Sequence, residues 1–134
     1  MRLVFGLLAA VMVAFAGVQY NDPDGLLWAL YYAVPAAWAG IAAFRPRVLG
    51  EPLGKAALGL SLVAGVALTL WYWPAAAGFW HEEVWRMGKP DPTEAAIAEA
   101  AREGMGLMIA TAVLFAVFVR AAVPAAVPVQ RAAQ

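Results

Sequence analysis

The residues able to do chemistry in this 134-residue chain fall in three short stretches. The first reads Gln19-Tyr20-Asn21-Asp22-Pro23-Asp24-Gly25, the second Trp80-His81-Glu82-Glu83-Val84-Trp85-Arg86, and the third carries Glu99, Arg102 and Glu103. Between them they supply carboxylates, two amides and the chain's only histidine. Oxygen-rich sets suit a hard divalent cation, and a histidine among carboxylates admits a transition metal. Asp22, Asp24 and Glu103 are the metal-ligand candidates, with His81 an outlying fourth. No H-x-x-x-H, E-x-x-H or EF-hand spacing occurs, so a solvated acidic loop is the competing explanation. With no cysteine there is no thiol nucleophile and no cysteine-ligated metal. Neither a nucleophile and base pair nor a phosphate loop appears, which leans the reading away from an enzyme and leaves metal-assisted hydrolysis as the reaction to test.

These groups must be carried by membrane elements. Sixty-four per cent of the chain is apolar, 13% is charged and the mean hydropathy is +0.72, which excludes disordered, collagen-like and ordinary soluble classes. A net charge of zero gives no pull toward nucleic acid. A crossing helix needs about 20 apolar residues, and four stretches qualify: spans at about 3–20, 25–44, 56–74 and 104–121. The third should close near Pro74, and the fourth extends an amphipathic helix over 93–103 that stands in water. The expected fold is an all-α four-helix transmembrane bundle over residues 1–123, followed by a disordered cytoplasmic tail, 124–134. Ala14-Phe15-Ala16 imitates a signal cleavage site, but the apolar stretch continues to Tyr20, so the first helix is expected to be retained.

Charge then orients the bundle. Arg2, Arg45, Arg47, Lys55, Arg120 and Arg131 fall on one side with Glu51 as its only acid, while the acidic stretches fall on the other. Basic flanks resist translocation, so both termini are expected in the cytoplasm and the acidic stretches outside. An alanine-rich chain of this kind suits the cell membrane, specifically a bacterial inner membrane. No charged residue lies in the middle of a span, which argues against a pump or an ion-coupled transporter.

Helices in lipid associate by close packing, and small residues at four-residue spacing permit it. Three such stripes occur: Gly6, Ala10, Ala14; Ala29, Ala33, Ala37; and Ala57, Ser61, Gly65, Thr69. The aromatics crowd the outer half, as an interfacial belt or as the wall of an outer pocket. Trp38 and Phe44 are expected deeper or inward.

Locally, Asp22 before Pro23 reads as an N-cap with proline at the first helical position, and Asp24 as a first-turn carboxylate. Asp91-Pro92-Thr93-Glu94 repeats that logic as a capping box. Glu99 and Glu103 share a helix face, and Arg102 is placed to pair with Glu99. Glu103, followed by Gly104 and Gly106, borders the low-dielectric zone and is the carboxylate least explained by solubility.

The run Gln19-Tyr20-Asn21-Asp22-Pro23-Asp24, with Trp28 and Tyr32 after it and Arg102-Glu103-Gly104 opening the last span, resembles transmembrane family 220, a group of small four-helix membrane proteins. The resemblance implies a four-span integral membrane protein and no particular reaction. It also strengthens the expectation that Asn21, Asp22, Asp24, Trp28 and Glu103 share a site, since capping alone would accept serine or threonine at Asp22.

The expected ligand-binding set is therefore Gln19, Asn21, Asp22, Asp24, Trp28, Tyr32, Glu99 and Glu103, holding a cation or a polar lipid headgroup at the outer face. The bilayer itself, a polar lipid and a membrane-protein partner are the partners to consider, with self-association left open. The alternative function is a structural or accessory subunit of a larger membrane complex.

Overall fold

In a computed structural model, residues 1–21, 23–73 and 92–123 are described. Four helices run through them: α1 Arg2–Val18, α2 Gly25–Phe44, α3 Pro52–Trp71 and α4 Pro92–Ala122. Two 3-10 turns, Gln19–Asn21 and Pro46–Gly50, follow α1 and α2. No strand occurs among the described residues. Helices are what a hydrocarbon solvent demands, because every backbone polar group must be satisfied within its own segment. By length and composition α2, α3 and the 95–122 part of α4 can each cross a membrane, while α1 is an apolar helix of 17 residues. Leu3, Leu7, Leu26, Leu53, Leu60 and Leu70 stand exposed on the outer surface, as they would against lipid tails.

The most extensive helix contact is α1 on α2, and α4 packs against both α2 and α3. Thr69 and Gly65 of α3 meet α4 near its middle: the Thr69 and Thr111 hydroxyls are 2.9 Å apart, and a Cβ on Gly65 would lie 3.0 Å from Thr111 Oγ1. Trp38 of α2 reaches α3, its Nε1 donating to Ser61 Oγ at 3.1 Å, while Ser61 donates to its own helix at the Ala57 carbonyl. The Ser61-Gly65-Thr69 part of the third stripe is thus used inside the bundle, although Ala57 is exposed.

The other two stripes are not the packing faces. Ala10, Ala14, Ala33 and Ala37 are exposed. Instead α1 buries Phe5 and Met12 with Ala9, Phe15 and Ala16 beside them, and α2 buries Trp28, Tyr32, Pro35, Ala36, Ala39, Ala42 and Ala43. Both are three-and-four spacings that mix one or two bulky side chains with alanines, the seam of an antiparallel pair. Large residues chose the face, and alanine filled whatever was left. Of the two residues expected deeper or inward, Trp38 is inward, and Phe44 lies at the end of α2 remote from the acidic turn but is 75% exposed there.

Helix ends differ from expectation as well. α2 begins at Gly25 with Asp24 at the N-cap, so neither Asp22 nor Pro23 opens the helix. α3 begins four residues earlier than expected, on Pro52, and closes at Trp71. α4 is one uninterrupted helix of 31 residues. Asp22, Pro74, the stretch containing His81, Glu82 and Glu83, the Asp91 cap and the tail 124–134 lie outside the described residues.

Candidate functional site

Connection order brings the end of α1, the start of α2, the end of α3 and the first turns of α4 to one end of the bundle. There α2 presents Trp28 and Tyr32 one helical turn apart, and α4 presents Ala95, Glu99, Arg102 and Glu103 on one face. With Gln19 from the turn after α1, these residues enclose a cavity of about 500 Å³. Five of the eight expected ligand-binding residues therefore line one space: Gln19, Trp28, Tyr32, Glu99 and Glu103. Asp24 stands one hydrogen bond behind the wall, its Oδ2 accepting from Trp28 Nε1 at 2.9 Å. That bond occupies the carboxylate that capping would have used, and the Asp24 backbone carbonyl takes the first helical amides, from Leu27 at 2.8 Å and Trp28 at 3.3 Å. The Asn21 side chain lies outside the described residues, like Asp22.

The aromatic wall is fixed by edge contacts. Tyr32 meets Phe15 of α1 at a centroid distance of 5.5 Å and 86°, and Trp28 meets Tyr72 of α3 at 5.9 Å and 79°. Such T-shaped pairs place a positive ring edge on a negative ring face and hold the orientation of both. Trp28 and Tyr32 are 6% and 5% exposed, which makes them wall. Tyr20, Trp71 and Trp73 are well exposed, as residues of an interfacial belt would be.

Gly106 completes the seat. A Cβ there would run into the Tyr32 hydroxyl, so the helix can approach the ring only because position 106 carries no side chain. Sequence reasoning noted Gly106 as a threshold residue without its partner, and it missed Arg102 and Tyr72 as parts of the site. Arg102, expected to pair with Glu99, lines the cavity and turns its Nε to the Ala98 carbonyl at 3.2 Å. Its position between Glu99 and Glu103 was the available signal. The Tyr72 hydroxyl, just past the end of α3, is pushed above the ordinary phenol range by partial burial, then by the carboxylates of Glu103 and Asp24. One hydroxyl thus feels both the turn before α2 and the start of the fourth span.

As chemistry, the cavity combines two carboxylates, one guanidinium and two aromatic faces. Glu103 is half-buried, whereas Glu99 and Arg102 are exposed. Among the described residues no three Asp, Glu or His groups stand close enough to share a metal ion. Ser61, the hydroxyl closest in kind to a nucleophile, is engaged in two hydrogen bonds away from this end.

The fold and this end together define an all-helical integral membrane protein with a polar, aromatic-walled cavity at one mouth. The chain belongs to transmembrane family 220, whose profile matches residues 11–119, a stretch that includes both the turn before α2 and the Glu99 to Glu103 face. No solved structure matches it.

Proposed function

We propose that this protein is a membrane-embedded binding module whose mouth takes a polar headgroup carrying a cationic ammonium. The observation that supports this most directly is the shared cavity: Glu99 and Glu103 face the same space as the Trp28 and Tyr32 rings. Aromatic faces attract an ammonium through the ring quadrupole, and carboxylates balance its charge. Arg102 gives a phosphate on the same headgroup a partner. A bare divalent cation is the weaker form of the reading, since it would leave the aromatic wall and the arginine without a role.

The test is a titration of the detergent-solubilised full-length protein with phosphocholine, followed by calorimetry. The double variant E99Q/E103Q is expected to weaken binding about tenfold, the effect of losing roughly 1.4 kcal/mol. Equal affinity in wild type and variant would remove the mouth from the function. Manganese binding in place of phosphocholine binding would restore the metal reading.

The accessory-subunit alternative draws on the uncovered Ala10, Ala14, Ala33 and Ala37 surface, but it loses Ser61, Gly65 and Thr69, which are spent on internal contacts. We further assign the acidic mouth to the outside on the charge asymmetry, and the membrane to a bacterial inner membrane on the alanine-rich composition. The chain has no cysteine, so single cysteines introduced at Glu99 and Arg47 report sidedness without background. A membrane-impermeant maleimide applied to intact cells should label the first and spare the second.

A further inference from the structure

At the opposite end of the bundle three cations from three elements meet. Arg47 of the 3-10 turn, Lys55 of α3 and Arg120 of α4 line one cavity of about 410 Å³ with Pro46, Leu49 and Gly50 among its other walls. Among the described residues no acidic side chain lines it. Glu51, the acid expected on this side, is the exposed N-cap of α3. A second, largely apolar cavity of about 240 Å³ adjoins the first through Lys55 and Ala121, and continues along Leu58 and Phe118. A basic hollow at the end of the bundle therefore opens into an apolar groove on its flank.

This end is built to hold its shape. Leu49 is 3% exposed and plugs the turn into the core. The Val48 carbonyl accepts the Glu51 amide at 3.2 Å, and a Cβ on Gly54 would collide with that carbonyl oxygen. The turn that carries Arg47 is thereby seated on the first turn of the helix that carries Lys55. Three like charges gathered around one hollow repel unless an anion compensates them.

We propose that this is an anionic phospholipid site: Arg47, Lys55 and Arg120 hold the phosphate of the headgroup, and an acyl chain lies along Leu58 and Phe118. The basic hollow alone would suit any phosphate. The adjoining groove favours one attached to a lipid.

The test uses full-length protein, stripped of lipid in a neutral detergent and examined by native mass spectrometry with added phosphatidylglycerol or diacylglycerol, a neutral lipid without the ammonium that the acidic mouth would take. Wild type is expected to retain phosphatidylglycerol selectively. Each of R47Q, K55Q and R120Q should lower that retention about fivefold, with diacylglycerol retention unchanged. The charge-preserving pair K55R/R120K keeps the selectivity, and unchanged diacylglycerol retention in the glutamine variants shows that their loss is not misfolding. A122W, which obstructs the groove from an exposed position and leaves every charge, should reduce phosphatidylglycerol retention and spare inorganic phosphate. Equal retention of the two lipids by wild type overturns the proposal. So does glycerol phosphate competing as strongly as the intact lipid, which would make this a site for soluble phosphate.

Discussion

The two ends of the bundle solve the same packing problem with different materials. At each, a glycine lets a helix come closer than any side chain would allow: Gly106 against Tyr32 at the acidic mouth, and Gly54 against Val48 at the basic end. The mouth's obstacle is the tip of a ring, whereas the basic end's is a backbone carbonyl. A ring tip can be moved by rotating a side chain among its neighbours. A carbonyl moves only with its turn, which Leu49 anchors. The mouth's close contact can therefore relax by a small shift of the Tyr32 ring against Phe15, whereas the basic end's cannot relax without moving the turn.

Breaking each contact in turn measures that difference. G54A should be the most damaging, about 3 kcal/mol off the stability of the folded bundle, because no rotamer change relieves a backbone clash. G106A should cost about 2 kcal/mol and, by displacing Tyr32, should also abolish phosphocholine binding while leaving phosphatidylglycerol retention intact. If the two variants unfold at the same denaturant concentration, the distinction between ring and backbone has no energetic content. W28F removes the donor to Asp24 and keeps most of the aromatic bulk, so about 1 kcal/mol is expected. T69V, in the middle of the bundle, removes the interhelical hydroxyl contacts to Thr111 and the Leu107 carbonyl and should cost about 0.6 kcal/mol without touching either end's ligand. G59A is the control: nothing lies within 4 Å of a Cβ there, and no loss should be seen. Reversible unfolding in mixed micelles, read by tryptophan fluorescence and circular dichroism, ranks all five.

The fold was readable from the amino acids because hydrocarbon sets a minimum run of uncharged residues, and a short polar break between two such runs leaves little choice of connection. Helix faces were less readable. Alanine occurs on every side of α1 and α2, so small-residue spacing carried no direction there, and Phe5, Met12, Trp28 and Tyr32 decided it through bulk. In α3 the glycine and hydroxyls did point inward, since each had a specific partner on α2 or α4.

The candidate site divides in the same way. Gln19, Trp28, Tyr32, Glu99 and Glu103 were marked by polar or amphipathic chemistry in a chain with little of it, and they share one cavity. Asp24 is the N-cap of α2 and not the first-turn carboxylate expected, because the Trp28 indole on the next turn donates to its carboxylate in place of a backbone amide. The basic hollow gave no warning. Arg47, Lys55 and Arg120 are scattered in sequence, and each already had a sufficient reason to exist as a charge that orients its helix.

The short first helix has an effect beyond the protein. Seventeen residues rise about 25 Å, against a hydrocarbon slab of about 30 Å, while the helix on the other side of α2 has length to spare. The 3-10 turn Gln19–Asn21 carries the chain on by about 6 Å, so on this flank a turn, not an α-helix, finishes the crossing and any remaining mismatch falls on the lipid. A flank of that kind is expected to favour thinner bilayers, which would make membrane thickness a variable for this protein even with both of its ends empty.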